Sequence, residues 1–318
     1  MFLNAEQVTQ ALPWDAMVEA LDDIFTRTVH SPVRHHHHMH VPGDPDATLL
    51  LMPAWIEGQY LGVKQVNVFP GNSARGEPGL SSHYLLSCAR TGRHLAQLDG
   101  NELTARRTAG ASALAARYLA REDASELLMI GAGRMGHRLI PAHRAIRPIE
   151  RVRVWDIRES SARALVEELV AEGVDAQVVT TDGLAEAAGR ADIISCATLS
   201  REPLIRGEWL SPGTHVDLVG SFTPQMREAD DDVMRRSAVF VDTRDGALSE
   251  TGDLIDPLAS GVITEADILA DFPDLCGGRH AGRSALADAG QAITVFKSVG
   301  ASIEDLAAAI AAFERSAG

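Results

Sequence analysis

A glycine-rich hexapeptide, GAGRMG at residues 131–136, is the clearest chemical signal in the chain. It directly follows the apolar run Leu127–Ile130, and the segment after it can form a helix. Glycines at this spacing permit a tight turn, let the backbone approach a pyrophosphate and let the helix pack closely on the strand, while the helix N-terminus attracts the phosphates. Asp156, at the end of the next apolar run, can accept hydrogen bonds from a ribose. We therefore predict a dinucleotide site rather than a purely structural glycine turn, with candidate residues Gly131, Gly133, Arg134, Met135, Gly136 and Asp156.

The charge of Asp156 bears on which nicotinamide dinucleotide is bound. A carboxylate at the adenosine ribose favours NAD(H), because it repels the 2′-phosphate of NADP(H). Arg158 lies two residues later and could bind that phosphate if Asp156 turned away, and Arg134 in the glycine loop is a second possible partner. The sequence therefore favours NAD(H) and leaves NADP(H) open.

Three basic residues in the first third of the chain are candidates for acting on a substrate. Lys64 stands in the strand-like segment GVKQVN, residues 62–67, and a lysine buried there would have a lowered pKa and could act as an acid or a base. Arg34 and Arg107 could each hold a carboxylate through two parallel hydrogen bonds. Judged one at a time, however, their local sequence favours a surface lysine and ordinary surface arginines.

Histidines at positions 35–38 and 40 form an internal cluster. On a strand, His36, His38 and His40 would share one face, and two or three of them could ligate zinc. No carboxylate or thiolate of the neighbouring sequence completes a ligand set. We therefore favour a polar strand and predict no metal site.

The elements that must position these residues follow two different patterns. From residue 127 onward, short apolar runs alternate with helical or loop segments, which predicts βαβ units and a parallel sheet. Upstream, a helix over residues 13–28 precedes strand-like runs separated by turn residues, which predicts a mostly antiparallel sheet. Pro141 falls inside the helix after the glycine motif and predicts a kink there. The runs are Thr48–Met52, Gly62–Val68 and Tyr84–Ala89 upstream, and Leu127–Ile130, Val152–Trp155, Ala176–Val179, Ile193–Ala197, His215–Val219 and Val239–Val241 downstream.

Two further helices set the domain organisation. The alanine-rich segment 105–120 predicts a long helix. The segment 302–317 has one apolar stripe, with Ser302 as its expected N-cap, and we expect it to pack back on the first region. The predicted fold class is α/β: a Rossmann-type parallel sheet domain of residues 113–296, and a discontinuous α+β domain formed by residues 1–112 and 297–318.

Composition narrows the class of protein. A length of 318 residues predicts two domains, and 45% hydrophobic with 23% charged residues is typical of a globular protein. The formal net charge of −15 argues against nucleic acid as a partner. Cys88, Cys196 and Cys276 lie far apart and form no CxxC pair, which argues against a disulfide framework. We recognise no leader and no apolar stretch long enough for a membrane, and so predict a cytoplasmic protein.

The chain resembles the ornithine cyclodeaminase/mu-crystallin family along nearly its whole length. The matching stretches are GVKQVN (62–67), LDGNELTARRTAGASALAARYLA (98–120), GAGRMG (131–136), EPLIRGEWLSPGTHVDLVG (202–220), FVDTRDGALSETGDL (240–254) and TVFKSVG (294–300). The resemblance implies a homodimer. It further implies that the N-terminal domain, with the C-terminal helix, supplies dimer and substrate contacts, and that the Rossmann domain binds NAD(H) or NADP(H).

The resemblance also implies roles for individual residues. Arg34 and Arg107 would bind the carboxylate of a small-molecule substrate, and Lys64 would lie beside the reacting carbon and nitrogen. The remaining residues would serve the cofactor: Thr108 would approach its phosphates, and Thr198, Val219 and Lys297 would line the nicotinamide region.

One departure from the family pattern points to a substrate. Cyclodeaminases of the family have a glycine and then a catalytic aspartate after Val-Gly, whereas this chain has Ser221-Phe222-Thr223-Pro224. Phe222 takes the aspartate's place at the substrate and can neither accept a proton nor pair with an ammonium. This stretch is similar to that of the family's bacterial ketimine reductases. We therefore expect reduction of a cyclic ketimine carboxylate, Δ1-pyrroline-2-carboxylate or Δ1-piperideine-2-carboxylate, to L-proline or L-pipecolate.

Other activities of the family remain open at this point. An alanine dehydrogenase-like enzyme would use the same arginines and lysine but would need free ammonia and a keto acid. An ornithine cyclodeaminase is disfavoured by Phe222. A non-catalytic protein that binds NAD(P)H and a ligand, as mu-crystallin does, is disfavoured because Lys64, Arg34 and Arg107 are all present.

Overall fold

The chain divides into two compact units, and a computed structural model describes residues 1–317 of it. The first unit comprises Met1–Thr108 together with the chain from Ala301 onward, and the second unit comprises Ala109–Gly300. The predicted boundaries, 112/113 and 296/297, fall near these divisions. In chain order the strands are β1 (Phe2–Leu3), β2 (His35–Met39), β3 (Ala47–Trp55), β4 (Tyr60–Val68), β5 (Leu80–Cys88), β6 (His94–Asp99), β7 (Glu126–Ile130), β8 (Arg151–Trp155), β9 (Asp175–Val178), β10 (Ile193–Cys196), β11 (His215–Leu218), β12 (Ser237–Val241), β13 (Ile268–Ala270) and β14 (Ile293–Lys297).

Helices account for much of the remaining chain, and several begin at a side chain that caps them. The Asn4 side chain accepts a hydrogen bond from the backbone of Gln7, whose own side chain bonds back to Asn4. The helices are α1 (Ala5–Ala11), α2 (Trp14–Ile24), α3 (Gly100–Leu119), α4 (Gly136–Ile146), α5 (Glu159–Ala171), α6 (Leu184–Arg190), α7 (Asp231–Arg235), α8 (Arg244–Glu250), α9 (Gly252–Ala259), α10 (Phe272–Cys276) and α11 (Ser302–Ala317).

The first unit is built on a sheet with strand order β1-β6-β5-β4-β3-β2. Strands β2 to β6 pair antiparallel and β1 pairs parallel with β6, which confirms the mostly antiparallel sheet. Helix α11 packs against α2, β3 and β4, so the expected return of the C-terminal helix to this region is also confirmed. Strands β1 and β6 and helix α1 were not predicted, because these stretches are short or carry polar residues on both faces.

The start of α11 differs from its prediction. Ser302 is the first residue of the helix rather than its N-cap, and the N–H of Glu304 donates to the carbonyl of Ala301. The Ser302 hydroxyl instead donates to the carbonyl of Pro53 on β3 at 3.0 Å. This hydroxyl therefore attaches the first turn of α11 to the sheet.

The second unit holds a parallel sheet with strand order β13-β12-β14-β11-β10-β7-β8-β9, which confirms the Rossmann-type prediction. From β7 the chain continues to β8 and β9 on one side and later to β10 and β11 on the other, so the strand order reverses at β7. Sheets of this kind bind their ligands where the order reverses. Strands β13 and β14 were missed, because β13 is very short and β14 ends in Lys297.

Helix α4 follows the glycine motif and continues through Pro141 as a single helix. Leu139, Ile140 and Ala142 are buried around the proline, so packing of this face offsets one lost hydrogen bond. The kink stays a prediction. Among residues 1–317, no helix combines the length and the apolar character that crossing a membrane requires.

Candidate active site

Lys64 lies in the middle of the first unit's sheet and is only 3% exposed. It pairs across β4 with Met52 on β3 and with Tyr84 on β5. Because side chains alternate along a strand, Gly62, Lys64 and Val66 share the buried face of β4. The surface interpretation of this lysine is therefore wrong. The alternation of side chains along the strand could have indicated that Lys64 is buried. The charge of a lysine argues against burial, however, unless a partner for it is known.

That partner is Asp305, in the first turn of α11. The Nζ of Lys64 lies 2.7 Å from Asp305 Oδ2, and the hydroxyl of Thr104 on α3 lies 3.5 Å from the same Nζ. Asp305 is fully buried. Its position near the N-terminus of a helix adds favourable interaction with the helix dipole.

Arg107 joins the same group of charges from α3. Its Nε donates to Asp305 Oδ1 at 3.0 Å and its Nη1 donates to Glu304 Oε2 at 2.7 Å. Both acids are fully buried, and Arg107 is buried too, so the interpretation of Arg107 as an ordinary surface arginine is also wrong. Sequence reasoning missed Glu304 and Asp305, because acids in the first turn of a helix are common and point to no partner.

The pKa of Lys64 is lowered to about 8, chiefly by burial. The negative charge of Asp305 opposes this shift, and the positive charges of Arg107 and Arg34 add to it. Arg34, the residue directly before β2, is half-buried. The positive charges of Lys64, Arg107 and Arg34 are of the sign that attracts a substrate carboxylate.

The glycine loop of the second unit has the geometry that a dinucleotide requires. Gly131 has φ +103°, and a Cβ on it would lie 2.7 Å from the carbonyl oxygen of Ala197. A Cβ on Gly136 would lie 2.5 Å from the carbonyl oxygen of Gly131, so helix α4 approaches the loop closely. Gly133 is exposed, and a Cβ on it would meet nothing within 4 Å. This open face, next to the first N–H groups of a helix, fits a pyrophosphate.

Asp156 lies where the ribose contact is expected, at the end of β8. Its Oδ2 accepts a hydrogen bond from the N–H of Ala132 in the glycine loop at 2.8 Å, and its Oδ1 accepts one from the N–H of Arg158 at 2.8 Å. Each carboxylate oxygen can accept a second hydrogen bond, so ribose hydroxyls can still be bound. The Arg158 side chain is 75% exposed, and Arg134 is exposed in the loop itself.

Glu228 connects the loops that follow β10 and β11, and sequence reasoning missed it. Its Oε1 accepts hydrogen bonds from the N–H and hydroxyl of Thr198 at 2.7 and 2.9 Å, and its Oε2 accepts one from the N–H of Gly220 at 2.7 Å. A Cβ on Gly220 would lie 2.0 Å from the Thr198 carbonyl oxygen, so the two loops touch. Burial raises the pKa of Glu228 to about 7.

Lys297 is fully buried, so its side chain does not line an open surface of the second unit. Its Nζ donates to the carbonyl of Leu218 at 3.0 Å and lies 3.5 Å from Asp253 Oδ2. The other oxygen of Asp253 accepts hydrogen bonds from the N–H groups of Glu228 and Ala229 at 2.8 and 3.2 Å. Lys297 therefore supports the backbone of Glu228 through Asp253. Its contact with the nicotinamide stays a prediction.

The remaining candidates differ in exposure. Phe222 is 51% exposed in the loop after β11, while the preceding Ser221 is buried and donates to the carbonyl of Met226 at 2.6 Å. Val219 is half-buried in the same loop, and Thr108 is half-buried next to Arg107 in α3. The Phe222 ring is therefore accessible from solvent.

The histidine run forms β2, the exposed edge strand of the first unit's sheet, as the polar-strand interpretation predicts. His38 lies 3.3 Å from the Thr48 hydroxyl, and His40 lies 3.1 Å from Asp46 Oδ1. Within residues 1–317, no group of three or more His, Cys, Asp or Glu side chains is arranged to ligate a metal.

Comparisons with known proteins agree with this arrangement. The sequence profile described as "Ornithine cyclodeaminase/mu-crystallin family" matches residues 1–318. The chain is 41% identical to the Delta(1)-pyrroline-2-carboxylate reductase of Paracoccus denitrificans, covering 96% of this chain and 93% of that one. It is 51% identical to an uncharacterised protein of Schizosaccharomyces pombe, over 98% and 96% of the two chains.

A solved structure shows the same likeness in three dimensions. The Delta(1)-pyrroline-2-carboxylate reductase of Thermococcus litoralis, in complex with NADH and L-proline, has a TM-score of 0.89 and 32% identity, covering 100% of this chain and 97% of that one. The profile match spans the whole chain. The chain belongs to the ornithine cyclodeaminase/mu-crystallin family.

Proposed function

We propose that this protein is an NAD(P)H-dependent reductase of cyclic ketimine carboxylates, Δ1-pyrroline-2-carboxylate and/or Δ1-piperideine-2-carboxylate, which yields L-proline or L-pipecolate. The observation that carries the proposal is the buried Lys64 ammonium, held by Asp305, which also binds Arg107. Relatives named Delta(1)-pyrroline-2-carboxylate reductase support it, at 41% and 32% identity over 96% and 98% of this chain.

The basic residues of the first unit would bind the substrate and protonate it. Arg34 and Arg107 would bind its carboxylate, because a guanidinium presents two parallel donors. Lys64 would donate a proton to the ring nitrogen and regain one from water, since an acid whose pKa is near the working pH transfers protons efficiently. A bound dihydronicotinamide would supply the hydride that adds to the imine carbon. The C=N bond then becomes CH–NH, with one proton and one hydride consumed.

The second unit would hold the cofactor. The pyrophosphate would lie against Gly133 at the start of α4, and Asp156 would accept hydrogen bonds from the adenosine ribose. We propose NADH as the preferred cofactor, because Asp156 is held at this position by two backbone N–H groups and its charge would repel a 2′-phosphate. Replacing Asp156 by serine should raise the NADPH-to-NADH ratio of kcat/KM by roughly tenfold or more.

Phe222 supports an imine without a terminal ammonium as substrate. A phenyl ring offers no charge to pair with the side-chain amine of ornithine, whereas the methylenes of a ring can pack on it. The same apolar surface cannot easily distinguish rings that differ by one methylene, so we expect activity on both the five- and six-membered imines.

An alanine dehydrogenase is the second candidate, because structural similarity favours it as well. An archaeal alanine dehydrogenase dimer with bound NAD has a TM-score of 0.88 and 29% identity to this chain, covering 100% of this chain and 96% of that one.

That dimer also supports our proposal that this protein is a homodimer. Size-exclusion chromatography with light scattering tests it, and a monomer at every concentration would contradict it.

The deciding experiment follows NADH and NADPH oxidation at the nicotinamide absorbance. The two cyclic imines serve as substrates, with pyruvate plus ammonia and ornithine in parallel. We expect rapid oxidation with an imine and a loss of roughly 10²- to 10⁴-fold in kcat for Lys64→Met. Turnover of pyruvate with ammonia, but of neither imine, would instead establish the dehydrogenase.

A further inference from the structure

We propose that Asp305 is a positioning residue for the reduction: its carboxylate bridges Lys64 and Arg107, and so holds the proton donor and the substrate-binding guanidinium as one unit. No role was assigned to Asp305 from the sequence. The reaction part of this inference rests on the proposed function, whereas the geometry does not.

The two oxygens of Asp305 serve different partners. Oδ2 lies 2.7 Å from Lys64 Nζ, and Oδ1 accepts a hydrogen bond from Arg107 Nε at 3.0 Å. All three side chains are buried, and Asp305 has no exposed surface. A buried carboxylate that binds two cations fixes the distance between them, because moving either one would leave a buried charge uncompensated.

Among the groups around Lys64, Asp305 is the one whose charge most favours the protonated ammonium. Burial, Arg107 and Arg34 all lower the pKa of the ammonium, and Asp305 opposes them. Tyr84 faces the lysine from β5 and contributes no charge, because burial raises the pKa of its phenol well above the ordinary value. Thr104 is also uncharged. Glu304 lies in the same turn as Asp305 and is paired with Arg107.

The consequence concerns the protonation state of Lys64. Without the charge of Asp305, burial and the charges of Arg107 and Arg34 still lower the pKa of Lys64, so the amine would lose its proton at a lower pH. A neutral amine cannot donate a proton to the ring nitrogen. The alkaline limit of imine reduction should therefore move to lower pH in Asp305→Asn.

The chain offers an unusually direct readout, because Lys64 and Lys297 are its only lysines. With ¹³C-labelled lysine, the side-chain Cε signal of each can be followed by NMR as pH changes. The signal absent from Lys64→Met identifies Lys64. We expect it to titrate near pH 8 in the unaltered protein and at least about one unit lower in Asp305→Asn.

Glu304→Gln is the matched control. It removes one negative charge from the same helical turn but keeps the Lys64–Asp305 pair. We expect it to raise KM through Arg107 and to shift the Lys64 titration by less than half as much as Asp305→Asn does. Equal shifts in the two variants would overturn the specific role of Asp305, and so would an unchanged Lys64 titration in a folded Asp305→Asn protein.

If Asp305→Asn does not fold, Asp305→Glu tests whether Asp305 positions Lys64. This variant retains the charge but displaces it by one methylene. The pKa of Lys64 should stay within about half a unit of its value in the unaltered protein. In contrast, kcat should fall roughly tenfold or more, because the ammonium no longer points at the ring nitrogen. Unchanged kcat would overturn the positioning role. Failure of the unaltered protein to reduce either imine would refute the proposed function but leave the NMR result to decide the Lys64–Asp305 coupling.

Discussion

Glu228 accepts hydrogen bonds from both the backbone N–H and the hydroxyl of Thr198, at 2.7 and 2.9 Å. The same carboxylate also accepts the N–H of Gly220. The Thr198 side chain in turn lies within 3.3 Å of where a Cβ on Gly131 would be. One buried acid thus connects the loops after β10 and β11, and the first of these loops packs on the glycine loop after β7.

Replacing Glu228 by glutamine should therefore weaken cofactor binding. The amide has one acceptor and one donor group, so at least one of the N–H groups that now donate to Glu228 would face another donor. We expect a loss of about 1–3 kcal/mol in the free energy of unfolding and weaker NADH binding, measured by thermal unfolding and by NADH fluorescence. Glu208→Gln, at a largely exposed acid of the same unit, serves as the control and should change neither. Unaltered NADH binding by a destabilised Glu228→Gln protein would contradict the link to the cofactor loops.

The pH dependence of stability should also report on Glu228. Its pKa is raised from 4.5 to about 7, chiefly by burial, with Asp253 raising it and Lys297 and Thr198 lowering it. The folded state therefore binds more protons than the unfolded state between these values, so this group's contribution to the free energy of unfolding falls as pH rises from about 4.5 to 7. Denaturant unfolding at several pH values should show a smaller fall in Glu228→Gln. An equal fall in both proteins would contradict this assignment.

Gly133→Ala should separate cofactor binding from folding. A methyl group at Gly133 meets nothing within 4 Å in the protein, but it would stand where the pyrophosphate must approach. We expect an unchanged midpoint of thermal unfolding and NADH affinity lowered by roughly tenfold or more. Gly290→Ala is the control, since a methyl group there also meets nothing within 4 Å. If Gly133→Ala binds NADH normally, the pyrophosphate does not lie against this face.

Phe222 should set the preference for an apolar ring. Phe222→Leu keeps an apolar side chain, and kcat/KM for the cyclic imines should stay within a few-fold of the unaltered protein. Phe222→Asp places a charge beside the ring and should lower kcat/KM by roughly 10- to 200-fold, an effect measurable in the same oxidation assay. Similar activity in both variants would show that Phe222 does not contact the substrate.

Local sequence was enough to predict the elements that carry the candidate site. The glycine motif predicted its turn because the need for φ > 0 at Gly131 and for close packing at Gly136 depends on residues within a few positions. Alternating apolar runs predicted the parallel sheet for the same reason. The stripe of α11 predicted its helical form and its return to the first unit.

Only the tertiary structure decided which charges meet. Lys64, Arg107 and Asp305 come from a strand, a long helix and the C-terminal helix, and nothing in their local sequence shows that they pair. Whether a charged side chain is buried depends on a partner from a distant segment, because an unpaired charge in the core is too costly. The role of Glu228 and the burial of Lys297 were not predicted for the same reason. Their partners come from other strands and helices, and only the folded chain brings them together.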